Sequence, residues 1–361
     1  MAGVRLRGQV RSMRTEHARS IRLLAVGVSS VGYLLMFSIL VTRGVVTAGG
    51  DGGGDTLAYW TAGRNLLAGR PLYTAGVGFY AAYLYPPVLA QVFAPLSLLP
   101  FPAVVWIWRG VQLVCLRLAV GSWTAGGLLL LVWPPLMSEI DAGNVHLVIA
   151  AAVGMAIRGR PEGVVLAALT KFASLAALPL AFVTERRRLV AGTVGAGVIV
   201  IASVVAAPHA WLDYAQAMMT PLPSSPSWYN LGAALPLPLR LAAAGLTSVG
   251  AIRWPRLAAV SATLLLPILW VHGLSVLVAA IATPGAMAPS RQADRGTAQA
   301  GSDGPSGPCS HTLRAQAASP ANIHGTNPAR TAGLPASESH RVARGINLSA
   351  GRTASSRIDA A

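Results

Sequence analysis

Charge is scarce in this 361-residue chain: Asp, Glu, Lys and Arg together make up 11% of it, while 53% is hydrophobic. That is about half the charged share of a soluble domain, too little to clothe a water-exposed surface of this size, and it points to a polytopic membrane protein. Acids are the scarcer sign, 12 against 28 bases, for a formal net charge of +16. In a soluble protein that excess would suggest nucleic acid. Here the basic residues sit in short runs between apolar segments, as cytoplasmic loops do, and no nucleic-acid partner is expected. Cysteine occurs twice, Cys115 in an apolar segment and Cys309 in a polar tail, which excludes a disulfide framework, a CxxC metal pair and redox chemistry built on either. Lysine occurs once, as Lys171, and the skew towards arginine reflects base composition rather than function. Walker A, HExxH and an ordered Ser-His-Asp set are all missing. The run GTVGAG from Gly192 lies inside an apolar segment with no preceding strand, so it is no nucleotide loop. No cofactor is expected.

What is present reads as an all-α, multi-span protein in three parts: a basic cytoplasmic N-terminus over 1–22, a transmembrane region over 23–285, and a low-complexity tail over 286–361. Six arginines and one acid, Glu16, precede the apolar run Leu23–Val41, which is too long for a signal-peptide core and is expected to remain as a first span. Apolar segments follow at about 88–99, 103–120, 126–137, 145–157, 164–183, 189–207, 231–249 and 257–282. Several fall short of the roughly 20 residues that a bilayer requires, which predicts tilted, broken or re-entrant helices. Placing Arg158, Arg160, Arg186–Arg188, Arg253 and Arg256 in the cytoplasm puts 51–73, 138–143 and 208–229 on the outer face. In the tail aromatics vanish and Ser, Ala, Gly, Pro and Arg dominate, so disorder is expected there; a shifted reading frame in a GC-rich gene would produce the same composition.

The outer stretch DGGGDTLAYWTAGRNLLAGRPLY, residues 51–73, carries two carboxylates. Leu57, Trp60, Leu66 and Leu67 fall on one helical face over 56–67, with Asp55 in N-cap position and Gly69 as a stop, a pattern that predicts a helix lying along the membrane surface. Asp55, beside Tyr59 and Trp60 and behind three glycines, suits a general base, and it equally suits a simple helix cap. Asp51 has the poorer case. Arg64 and Arg70 suit phosphate contacts, whether to lipid or to substrate. Lys171 lies within an apolar segment, where an ammonium needs a cavity or a partner; an anionic lipid phosphate or snorkelling to the surface would satisfy it. Arg109 and Arg117 are expected to snorkel. Glu139, Asp141, Asn144 and His146 form a polar cluster that reads as a solvated turn before it reads as a metal site. His272, alone in LPILWVHGLSVLV, is either a hydrogen-bonded core histidine or part of a working site.

Taken together, the blocks DTLAYWTAGRNLLAGRPLY, YLYPPVLAQVFAPLSLLP, GNVHLVIAA, LTKFASLAALPL and LPILWVHGL resemble the actinobacterial polyprenol-phosphate-mannose-dependent α-mannosyltransferases of the glycosyltransferase C superfamily, over roughly residues 20–285. The resemblance implies an inverting transferase that moves mannose from a polyprenyl-phosphate donor to a glycolipid or lipid-linked glycan hydroxyl at the outer face of the plasma membrane. It also implies Asp55 as catalytic base, His272 as its helper and Lys171 as a contact to the donor phosphate; Tyr59, Arg64 and Asn144 are read beside them as substrate-binding residues. A lipid phosphate leaves without a nucleotide or an obligatory metal, so no metal site is implied. The family's Gly-Gln-x-Asn block stands here as Gly143, Asn144, Val145 and His146, and no proline follows Lys171 at Ala173 or Ser174. The apolar region stops near Ala282, where family members continue through further spans. Two alternatives follow from the residues: a transporter or flippase for lipid-linked sugars, although no internal repeat is present, and a shortened, non-catalytic homologue.

Overall fold

A computed structural model of the chain describes residues 2–46, 52–73, 82–219, 231 and 235–284, with side chains from 14 to 43 in the first of these stretches. Asp51, Cys309 and the tail read as low-complexity lie outside the described residues. Within them the fold is all-α, as the composition indicates. The helices are α1 (Ala2–Val46), α2 (Gly54–Leu67), α3 (Pro87–Leu96), α4 (Phe101–Val120), α5 (Trp123–Val132), α6 (Pro134–Ala142), α7 (His146–Ile157), α8 (Gly163–Ala168), α9 (Leu178–Thr184), α10 (Arg186–Ala206), α11 (Pro208–Met219), α12 (Leu237–Gly250) and α13 (Leu257–Leu264), with 3-10 turns over Phe172–Ala177 and Val271–Ile281.

Among the described residues, three helices are long and apolar enough to cross a membrane: Arg14–Arg43 within α1, α4, and α10. The remaining apolar helices are short, and their breaks have local causes. Trp133 precedes Pro134, and the ring of a following proline pushes it out of the helical region, so the apolar segment 126–137 splits into α5 and α6. Between α8 and the turn at Phe172–Ala177 the chain opens to an extended residue, Lys171. The expected outer loop 208–229 carries a helix, α11. Likewise, 138–142 is the second half of α6, with Glu139 and Ile140 buried.

The helices meet through small residues. A side chain at Gly32 of α1 would strike the carbonyl of Gly127 on α5, and one at Gly154 of α7 would strike that of Ala119 on α4. On α10 the stripe Val190, Val194, Val198, Ile201 and Val205 faces outwards, while Gly192, Ala196 and Ser203 face in. Large apolar residues outside and small ones inside are what lipid favours, because burying a leucine against protein gains little over leaving it in hydrocarbon, whereas a glycine seam lets backbones approach. Helix α7 is enclosed on almost every side and forms the centre, packed against α4, α13 and Val271–Ile281.

Arg158 lies away from the polar cluster, whereas Arg43, Arg109 and Lys171 stand beside it. Arg158 donates to the carbonyls of Leu118 and Ala119 at the end of α4, while Trp108, roughly 15 Å earlier on the same helix, and Gln112, roughly 9 Å earlier, face the turn at Gly143.

Candidate functional site

The site is assembled around the turn Gly143–Asn144–Val145 that joins α6 to α7. Gly143 has φ +72°, a left-handed conformation that a side chain resists, and a Cβ there would run into Thr56 Oγ1 on α2. Gly143→Ala is therefore expected to cost about 1–3 kcal/mol from the strained backbone alone and to push α2 off the turn, with transfer activity falling further than stability; melting and turnover measured on the same preparation check this.

Helix α2 is held against this turn by its small face. Thr56, Ala58, Tyr59, Ala62 and Gly63 are buried, and Gly63 packs directly on the backbone of Phe93 in α3. The apolar face Leu57, Trp60, Leu66 and Leu67 is half-exposed or exposed, as α10 turns its valines outwards. The stop is as expected: Gly69 has φ +64°, and the bonds Gly69 N–H to Leu66 and Arg70 N–H to Asn65 close a Schellman motif. The start is not. The helix begins at Gly54, its cap is Gly53 in the left-handed region, and Asp55 makes no capping bond. Its carboxylate lies in the first turn, where the helix dipole favours it, and is free for other work.

That work is with Asn144. Asn144 Nδ2 donates to Asp55 Oδ2 at 2.7 Å, and its Oδ1 accepts from Lys171 Nζ at 3.0 Å, Tyr85 OH at 3.3 Å and its neighbour's N–H (Val145) at 2.7 Å. Three donors on one oxygen and a carboxylate on the nitrogen fix which way the amide points. Asn144 itself is held by Gln112, whose Nε2 donates to the carbonyls of Glu139 and Asn144. Burial pushes the Asp55 carboxyl up to about 6; Glu139 acts in the same direction, while Lys171 and the bond from Asn144 pull it down.

Lys171 also reaches His146 Nε2 at 3.0 Å and lies over the Tyr85 ring, 5.1 Å from its centroid. An extended residue at a break between short helices can aim its side chain inwards, and this one does so rather than snorkelling. Glu139 and His146 are fully buried, so the cluster is no solvated turn: Glu139 Oε2 lies 2.8 Å from His146 Nδ1. Asp141 pairs with Arg43 at the end of α1 and with Arg109, which is buried and turned inwards rather than snorkelled. Thus Asp141 ties α1 and α4 to the turn.

Of the residues singled out in the sequence, Asp55, Asn144 and Lys171 are brought into one hydrogen-bonded row. His272 contacts the second line: its ring lies 5.4 Å from that of His146 and stacks on Trp270, and its Nε2 is buried without a partner. Tyr59 is enclosed at 0% exposure among Tyr85, Phe93 and Trp108, so Tyr85 is the tyrosine that fronts the row. Arg64 stands apart, exposed over Trp60, beside a cavity of about 510 Å³ lined also by Leu67, Leu98, Leu99 and Pro100. Tyr85 and Glu139 were missed as site residues. The signal for Glu139 was an acid and an imidazole between the apolar runs PPLM and LVIAA, where ionisable groups are costly and default to function.

Glu139, His146 and His272 bring ligand atoms within 4.8 Å of one another and could be imagined around a metal ion. The Glu139 and His146 atoms are already spent on each other, and the Lys171 ammonium stands beside the remaining nitrogen of His146, so a positive charge already occupies that place.

A helical membrane protein that holds a partly buried carboxylate and an ammonium at the two ends of one amide has the parts for group transfer between an anionic lipid and a hydroxyl. The profile of glycosyltransferase family 87 matches residues 83–299, more than half of the chain, and the chain belongs to that family. It is a glycosyltransferase. The matched segment holds Asn144, Lys171 and His272; Asp55, Tyr59 and Arg64 precede it, and Asp55 reaches the site through the packing of α2. No curated protein and no solved structure matches the chain.

Proposed function

We propose that the chain transfers mannose, with inversion, from a polyprenyl-phosphate donor to a hydroxyl of a glycolipid or lipid-linked glycan of the cell envelope, at the outer face of the plasma membrane. The observation that carries this reading is the row Asp55–Asn144–Lys171, with bonds of 2.7 and 3.0 Å. A single displacement at the anomeric carbon needs a base on the side of the incoming hydroxyl and positive charge at the leaving phosphate. Asp55 takes the hydroxyl proton as the acceptor oxygen bonds to the anomeric carbon. The carbon–oxygen bond to phosphate breaks, its electron pair stays with polyprenyl phosphate, and the Lys171 ammonium compensates that charge. Asn144 sets the distance between the two groups. His272, in contact with His146, supports the Lys171 end rather than the base. Arg64 stands apart from the row, exposed on α2, where an incoming lipid phosphate would meet it first. The outer-face placement is supported by Arg158 at the far end of α4 from the site.

The test is transfer by purified protein in detergent, where no gradient or second compartment exists. Radiolabelled polyprenyl phosphomannose should yield a labelled glycolipid whose new linkage is opposite in configuration to the donor's. No product in detergent, with label crossing the bilayer of reconstituted vesicles, would replace this reading with that of a transporter.

A further inference from the structure

Glu139 and His146 take no direct part in the proposed transfer, yet they are fully enclosed in a chain with few ionisable groups to spare. The turn at Gly143 folds the last turn of α6 onto the first residue of α7 and sets them face to face. One carboxylate then serves one residue twice: Glu139 Oε1 accepts the His146 backbone N–H at 2.8 Å, and Oε2 lies 2.8 Å from its Nδ1. On the far side of the ring, His146 Nε2 lies 3.0 Å from Lys171 Nζ. An ammonium offers only donors, so Nε2 accepts, the ring is neutral, and its proton sits on Nδ1 and is donated to Glu139.

Both donors of His146 thus face one carboxyl group. A carboxylate accepts both, whereas a carboxamide of the same length accepts one and confronts the other with an N–H. Either the backbone bond is lost, or the amide donates to Nδ1 and drives the ring proton onto Nε2, against the ammonium. Lys171 depends on this arrangement because it sits on extended backbone at a helix break, with no regular helix of its own to hold it. Two of its three N–H groups go to Asn144 Oδ1 and His146 Nε2, which leaves one.

We infer that Glu139 and His146 are positioning residues for the transfer: a strut of fixed tautomer that holds the Lys171 ammonium with one N–H left for the donor phosphate. This rests on the role proposed for Lys171.

Solid-state NMR of the full chain in liposomes, with ring-15N histidine and the His146 signals assigned by their loss in His146→Gln, reads the tautomer directly. The expected result is a neutral ring protonated on Nδ1; a ring protonated on Nε2, or an imidazolium, overturns the inference. Transfer from labelled polyprenyl phosphomannose reads the consequence. Glu139→Gln is expected to lower kcat/KM for the donor about tenfold or more, and to cost nothing further in a Lys171→Met background. A double variant that shows the product of the two losses overturns the strut and leaves the role of Lys171 standing. A Lys171→Met protein as active as the wild type overturns both. His146→Gln, whose Oε1 can accept from Lys171 unaided, should retain more activity than His146→Ala, and equal loss in the two contradicts the inference even if Glu139→Gln does not fold.

Discussion

Asp55→Asn is expected to fold, to bind donor, and to lose roughly three orders of magnitude in kcat, within the range of about 10²–10⁴ that a positioned general base contributes. The carboxamide keeps the shape and an oxygen to accept the bond from Asn144, so the row stays aligned. What it lacks is a lone pair able to take a proton. Stability should not explain the loss. The Asp55 carboxyl titrates at about 6 in the folded chain, above its ordinary 3.8, so proton binding stabilises the fold below about pH 4 and that contribution is gone once the pH has risen through 6. At pH 7.5 the wild type holds a partly buried charge that the asparagine variant does not. The variant should therefore melt no lower than the wild type. Turnover with labelled donor, alongside melting in detergent, separates the two effects; undiminished transfer removes Asp55 from the mechanism.

The second large effect is at the other end of the row. Lys171→Met is expected to reduce kcat/KM for the donor by about 10²–10³, the usual loss when one preorganised donor to developing charge is removed. Lys171→Arg should rescue little. The ammonium is held by an amide oxygen and an imidazole nitrogen, each at 3.0 Å, with an aromatic face beside it, a setting for a compact point charge. A planar guanidinium needs room for five N–H groups in a fixed fork. Kinetics that vary donor and acceptor separately check the assignment: the methionine variant should show its defect towards the donor, and a defect confined to the acceptor would reassign Lys171.

Much of this row could be seen in the amino-acid order, because its members stand out against their surroundings. Asp55 follows three glycines in the polar stretch 51–73, and Lys171 is a lone ammonium in an apolar segment. What could not be seen was how they are joined. Asn144 belonged to a cluster that looked like a turn in water, since four polar residues between two apolar runs read the same whether solvent or protein surrounds them. Burial of Glu139 and His146 is a property of α4, α7 and Val271–Ile281 packing around them, and no local pattern encodes it. The protein-facing side of α2 was hidden for a different reason. Apolar periodicity marks the inward face of a helix in water, but α2 buries Thr56, Tyr59 and Gly63 and leaves Leu67 outside. In such a chain the small residues mark the interior. The breaks were legible in principle, since segments shorter than a bilayer were expected to be broken, and Pro134 and Lys171 are where α5–α6 and the segment after α8 part.

The claim on which the rest depends is that Asp55 acts as a base, and the pH dependence of donor kcat/KM tests it most directly. With the carboxyl at about 6, activity should be level above pH 7 and fall about tenfold per unit below pH 6, while the residual activity of Asp55→Asn shows no such step. A wild-type profile that stays flat from pH 7 to pH 5, or a step of the same position in the asparagine variant, would contradict it.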